Sequence, residues 1–315
     1  MNAPTDRKAL AAEDGAERHD PQAASTLSTS PQDRIAAAGA SVPPSDVAGA
    51  PSPSPRRGDW RWPAPSWLVV AVFRRNFLVW RKTAGTTVLG DVLDPMIVLL
   101  ALGYGLGRLL PAIDGVPYIT FLAAGSICMG ALYGATFEAT YSAFSRLQVQ
   151  RTWEGMLNTP LSLDDVLWAE VLWAAAKAFK SGVAILIVVA LFDISRAPTL
   201  LAIPLVLAVA GITFAALAMV VTTVARGYDF FMYYFTLGVT PMVFLSGVFF
   251  PVAELPAAVT AVMQWLPLSP AIQLIRPLVL GEIPAGAGWL VLQLLVTAAL
   301  AIWLAGGLIR RRLLR

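Results

Sequence analysis

Charge is scarce in this chain. Asp, Glu, Lys and Arg make up 14% of its 315 residues, against about a quarter in an ordinary soluble domain. The first 60 residues hold eight of the 20 acids and six of the 23 bases, so the remaining 255 carry 29 charges, about 11%. That excludes an ordinary soluble enzyme. A single cysteine, Cys128, leaves no disulfide framework and no Cys-based metal site. The single histidine, His19, lies in a polar N-terminal stretch, which excludes His-dependent triads and His-ligated zinc. No Walker A loop exists either, since none of Lys8, Lys82, Lys177 and Lys180 follows a glycine. Accordingly no catalytic residue, bound cofactor or metal ligand is assigned, and a nucleic-acid partner is not expected.

What the chain has instead is long apolar runs. Residues 1–60 are built from Ala, Pro, Ser, Asp and Gly, too poor in large aliphatics to offset the entropy of ordering, and read as a disordered cytoplasmic tail. No apolar run follows the first charges, so the tail is not a signal peptide. From Trp60 the composition changes. Over 67–82 the bases Arg74, Arg75, Arg81 and Lys82 share one side of a helix, with Trp67, Phe73, Phe77 and Trp80 around them. The pattern is that of an amphipathic helix lying in the membrane interface, though the same residues also fit an extended start of the first span.

Residues 197–225, 230–253 and 283–309 are free of charge over 29, 24 and 27 positions, and 115–137 over 23. About 20 residues cross a bilayer core. Two shorter windows, 95–107 and 181–192, reach that length by including Asp91 and Asp94 or Lys177 and Lys180. The expectation is an all-α polytopic membrane protein with six spans near 88–109, 117–144, 170–192, 199–224, 230–250 and 286–309. With both termini cytoplasmic, the cytoplasmic segments hold fourteen Lys/Arg (56, 57, 61, 74, 75, 81, 82, 146, 151, 226, 310, 311, 312 and 315) against Arg108, Arg196 and Arg276 outside.

Two connections are more than loops. In 145–169, Ser162 and Asp165 have capping-box spacing after a break at Thr159-Pro160. On the outer side, 251–285 carries Pro251, Pro256, Pro267, Pro270, Pro277 and Pro284, and reads as two short helices dipping into the outer leaflet, hinged near 267–270 and packed on spans five and six. There Arg276 either pairs with Glu254 or Glu282, or meets an anionic head group. Gly103 with Gly107, and Gly130 with Gly134, read as small-xxx-small packing faces rather than a dinucleotide loop.

Intramembrane charge is the first place to seek function. Glu138 and the pair Lys177/Lys180 fall at comparable depth on successive antiparallel spans. They form a structural ion pair, line a substrate path, or belong to a proton relay. A relay needs further titratable groups, and no other acid is expected deep in the bundle. Asp91 and Asp94, beside Pro95, read as interfacial helix-start residues.

Several segments match a known family. Asp94-Pro95 leading to Leu102-Gly103-Tyr104-Gly105-Leu106-Gly107 resembles the first span of the type-2 ABC exporter (ABC-2) permeases, in particular those exporting nodulation factors. Tyr118-Ile-Thr-Phe121 with Phe137-Glu138-Ala-Thr-Tyr141 resembles the second span. The run Phe244-Leu-Ser246-Gly247-Val-Phe-Phe250-Pro251, continuing through Leu266-Pro267 to Arg276 and Gly281, resembles the segment joining span five to outer re-entrant helices. Arg151, Trp153, Glu154, Met156, Leu157, Thr159 and Pro160 fall in the family's ATPase-coupling segment, with Trp153, Met156 and Leu157 expected to seat in a groove of the ATPase. The resemblance implies a transmembrane domain over 61–315 in the inner membrane that dimerises with a second copy. It also implies a separate ABC ATPase subunit that binds ATP and Mg, and export of an amphiphile such as a lipo-oligosaccharide through surrounding membrane lipid. Drug efflux within the family, an ion-coupled secondary transporter and a membrane-embedded enzyme are the alternatives.

Overall fold

The structure, a computed structural model, describes residues 60–110, 112, 113, 115–251, 260, 261 and 263–313, without the side chains of 86–89, 91, 92 and 94. The expected tail, Glu254, Pro256 and the carboxylates of Asp91 and Asp94 thus lie outside the described residues. Apart from one bridge between Ile113 and Val116, the regular structure of the described residues is helical.

Helix α1 is Val69–Arg81 and α2 is Ala84–Leu100, prolonged by a π turn at Ala101–Gly105. Helix α3, Tyr118–Phe137, continues through π turns at Glu138–Ser142 and Ser145–Val149. A short α4, Thr152–Leu157, precedes α5, Leu163–Leu191. Then come α6, Ile203–Val224, and α7, Asp229–Tyr234, joined by a π turn at Phe235–Val239 to α8, Thr240–Leu245. Helix α9 is Leu268–Leu280 and α10 is Ala287–Leu313.

Four helices are long and apolar enough to cross a membrane: Tyr118–Val149, Leu163–Leu191, Pro198–Val224 and Ala287–Leu313. The other two expected spans fall on shorter apolar helices, Pro95–Arg108 and Asp229–Leu245. Helix α5 starts at Leu163, where the expected capping box forms, ahead of the span expected from near 170: Asp165 N donates to Ser162 Oγ (3.1 Å) and Ser162 N to Asp165 Oδ2 (2.9 Å).

Helices α3, α5, α6 and α10 pack in sequence around one apolar core. Lipid gives apolar helices little reason to associate, so close contact rests on small residues. A Cβ at Gly134 would stand 2.9 Å from Ser181 Oγ, and one at Gly103 only 2.7 Å from Ile119 Cγ1. Gly130 is likewise closed off by Ile185. Gly103, Gly130 and Gly134 thus pack closely as expected, whereas a Cβ at Gly107 would make only ordinary contact with Tyr118. The π turn after α3 frees backbone carbonyls, and Thr222 Oγ1 on α6 donates to that of Ala139 at 2.6 Å.

In the segment after Pro251 the described residues 260, 261 and 263 are helical, a turn follows at 264–267, and α9 begins with Pro267 as its N-cap. The break thus falls close to the expected hinge, but the main neighbours of α9 are α3, α10 and α6 rather than spans five and six alone. Pro270 is accommodated in the first turn, where an amide hydrogen has no intrahelical partner. Nine of its thirteen residues are buried, which draws it into the bundle.

Candidate functional site

Four charged side chains converge between α3 and α5. Arg146 donates through Nε and Nη2 to both oxygens of Glu170 (2.9 and 2.5 Å) and through Nη2 to Glu138 Oε1 (2.9 Å). Lys177 Nζ lies 3.7 Å from Glu138 Oε2, and Trp173 Nε1 donates to Glu138 Oε1 at 2.9 Å. Two carboxylates and two cations cancel, which is the condition for holding ions at such depth. The structure thus brings Glu138 and Lys177 together as expected, whereas the Lys180 ammonium lies over the Trp80 ring, 5.7 Å from its centroid. It also corrects the expectation that no other acid is buried here: the Glu170 side chain is 0% exposed, and Arg146, assigned to a loop, turns back to neutralise it. A cavity of about 340 Å³ opens beside the network, lined by Arg75, Asn76, Trp80, Glu138, Arg146 and Lys177 among others.

The segment 151–160 follows directly. Arg151 starts α4 with φ 48°, left-handed backbone that costs a non-glycine residue roughly 1–2 kcal/mol. The sharp reversal lays α4 back on the Ser145–Val149 turn and on α5. Trp153 and Met156 are buried in this chain's own core, so the apolar face expected to meet the ATPase points inward. A short amphipathic helix does not specify which apolar surface it will cover, and its own bundle is nearest. Leu157 is half-buried; Arg151, Glu154, Thr159 and Pro160 are exposed, with Arg151 and Glu154 3.9 Å apart.

A third cluster was not foreseen. Residues 60–66 form a strap across the start of α5 and the end of α10. Asp164 accepts from Arg310 Nη2 (2.6 Å), Ala64 N (3.2 Å) and Arg61 Nη2 (3.4 Å), and Asp165 accepts from Ser66 N (2.5 Å). Trp168 and Trp303 donate their indole N–H groups to the carbonyls of Pro63 and Trp60. Trp60, counted with the tail by composition, is docked beside Gly306 and Gly307, which leave the room it and Pro63 need. The only advance signal was the aromatic and proline content after residue 59.

These features sit on a chain whose residues 68–280 match the family model of the ABC-2 type transporter. The chain belongs to that family. This permease is similar to Nodulation protein J of Sinorhizobium fredii, 42% identical over 252 residues that cover 80% of this chain and 96% of the relative. It is 45% identical over 250 residues to Nodulation protein J of Rhizobium leguminosarum bv. viciae, covering 79% and 96%, and 33% identical over 244 residues to that of Azorhizobium caulinodans, covering 77% and 96%. As an ABC-2 permease it is a multi-pass membrane subunit and not itself an enzyme; in such transporters a separate ABC ATPase subunit binds the ATP.

Of the residues expected in the outer re-entrant segment, Arg276 donates to the Gly247 carbonyl at 2.6 Å and its guanidinium carbon lies 3.8 Å above the Phe121 ring centroid. Pro251 and Pro267 flank the segment, and Glu254, one of its expected partners, is outside the described residues.

Proposed function

We propose that the permease exports an amphiphilic glycolipid, a lipo-oligosaccharide, out of the cytoplasm, as a homodimer served by two copies of an ABC ATPase. In this reading the domain spans 61–315 in the inner membrane with six spans and both termini inside, α1 lies in the interface, and the tail 1–60 is cytoplasmic. The observation that carries the cargo class is the likeness to Nodulation protein J along 96% of that protein's length, in a chain whose motifs resemble the nodulation-factor exporters. The apolar windows and the excess of cytoplasmic bases support the orientation.

The exposed side of 151–160 then receives the ATPase, chiefly through Glu154 and Arg151. Movement of α4 passes to the adjoining Ser145–Val149 turn and so to Arg146, which ties α3 to α5 through Glu138 and Glu170. The network is in this reading the rigid link between loop and bundle, and the segment 251–285 shapes the exit in the outer leaflet. Purification through a tag on this chain should bring an ABC ATPase with it. Inverted vesicles holding both should take up a labelled lipo-oligosaccharide only when ATP is supplied. Uptake indifferent to ATP, or a permease that never retains an ATPase, overturns the proposal.

A further inference from the structure

At the end of the bundle opposite the charge network lies a second cavity, of about 540 Å³. Phe121 near the start of α3 borders it, and the 17-residue step along α3 places Glu138 about 26 Å away. Its walls are the Ile113–Val116 turn, the second half of α9 and the first turns of α10. Three glutamines, Gln264, Gln273 and Gln293, line it together with Arg276, Phe121 and Trp289.

The chemistry of this lining is specific. Each glutamine amide offers an acceptor and two donor hydrogens, the same double capacity as the hydroxyl groups of a sugar. Gln293 Nε2 reaches the Gln264 backbone carbonyl at 2.6 Å, which fixes one amide in place, while Gln273 is exposed to the cleft. Trp289 is 69% exposed at the rim, a large apolar plate of the kind the C–H face of a pyranose ring covers. The Arg276 charge is turned toward Phe121 and the Gly247 carbonyl, and no carboxylate is among the described residues lining the cleft. An acyl chain here would leave the side-chain amides of Gln264 and Gln273 facing hydrocarbon, with Gln293 keeping one bond to the Gln264 carbonyl. An anion would find one cation, already engaged. The volume falls within the range of small-molecule sites, roughly 300–1,000 Å³.

We infer that this cleft is a saccharide-binding subsite, which takes a neutral sugar unit through Gln264, Gln273 and Gln293 and stacks it on Trp289. The inference rests on the export reading above for its role, since it would hold the cargo's head group as it leaves; the binding itself does not depend on it.

The test is binding of neutral tetrasaccharides (cellotetraose, maltotetraose and the N-acetylglucosamine tetramer) to the full-length permease in nanodiscs, followed by titration calorimetry. At least one should bind, and Trp289→Ala should weaken it about tenfold, the equivalent of one good stacking contact. Gln273→Leu and Gln293→Leu should each weaken it by about three- to tenfold. Trp289→Tyr should restore most of the affinity, and Leu201→Ala, on an exposed apolar face elsewhere, should change nothing. Affinity unaltered in all three variants, no binding of any of the sugars, or binding of an anionic tetrasaccharide alone would each overturn the subsite. In any of those cases ATP-driven glycolipid export in vesicles leaves the export reading standing. Binding that follows the variants without such export defeats that reading and leaves the subsite.

Discussion

The two ends of this bundle are held by different forces. At the end that carries α4, full charges meet in near-dry surroundings: Arg146 with Glu138 and Glu170, Lys177 with Glu138, Arg310 with Asp164. At the other end the ion pair of Arg196 with Asp193 is exposed, and the more buried polar contacts run to backbone carbonyls. Thr199 and Ser195 hydroxyls donate to Leu278 and Val279 (2.5 and 2.6 Å), Tyr118 to Phe249 (3.3 Å) and Arg276 to Gly247. The three hydroxyl bonds are neutral and worth about 0.5–1.5 kcal/mol each net; the bond from the Arg276 guanidinium is worth about 1.5–3 kcal/mol. Removing one member of a buried ion pair strands the other at about 3–5 kcal/mol. One end is thus held by contacts that are costly to break singly, and the other largely by weaker ones.

The sharpest break in this comparison is Arg310→Met. It leaves the Asp164 carboxylate, 4% exposed, without its main cation, and should cost about 3–5 kcal/mol, read as a lower melting temperature of the solubilised protein. Adding Asp164→Asn should recover most of the loss; a single variant that melts like the parent would show the pair is not what holds this end. Next comes Glu138→Gln, expected to cost about 2–3 kcal/mol as Lys177 loses its counter-charge and Arg146 one of two. Lys177→Met should restore folded yield better than Lys180→Met, and equal rescue by both would redraw the network.

A smaller effect should follow Gly306→Val, whose Cβ meets Pro63 Cγ at 2.8 Å. Overpacking of that kind costs about 1–3 kcal/mol, and its signature should be faster tryptic cleavage after Arg61 as the strap lifts. The smallest change in stability belongs to Glu154→Arg, on an exposed side chain. Its melting temperature should match the parent, while ATPase activity in the assembled transporter ceases to respond to cargo. An unaltered response would remove Glu154 from the ATPase contact.

Much of this frame was legible in advance, for local reasons. A charge-free window reports a membrane helix whatever its neighbours, and a capping box is settled within four residues, as Ser162 and Asp165 illustrate. The packing glycines on α3 were legible too, because little but close contact explains them in an apolar helix. What escaped depends on partners far along the chain. Arg146 reads as a loop base until Glu170 is known to face it from α5, and Asp164 reads as a mere helix-start acid until Arg310 arrives. The inward turn of Trp153 and the seating of α9 on α3 are choices between apolar surfaces that composition alone does not rank.

The strap has a consequence for how the protein is made. Asp164 precedes Arg310 by 146 residues, and Arg61 precedes it by 249. At translation rates of about 5–20 residues per second, the Asp164 carboxylate waits roughly 7–30 s for its cation. Until α10 has been made, the partners that the described residues offer the Asp164 carboxylate are the Ala64 amide and the exposed Arg61. Closure of the strap therefore waits until Arg310 has been made, so the two ends of this seam are joined late although one of them, Arg61, is among the first described residues to be made.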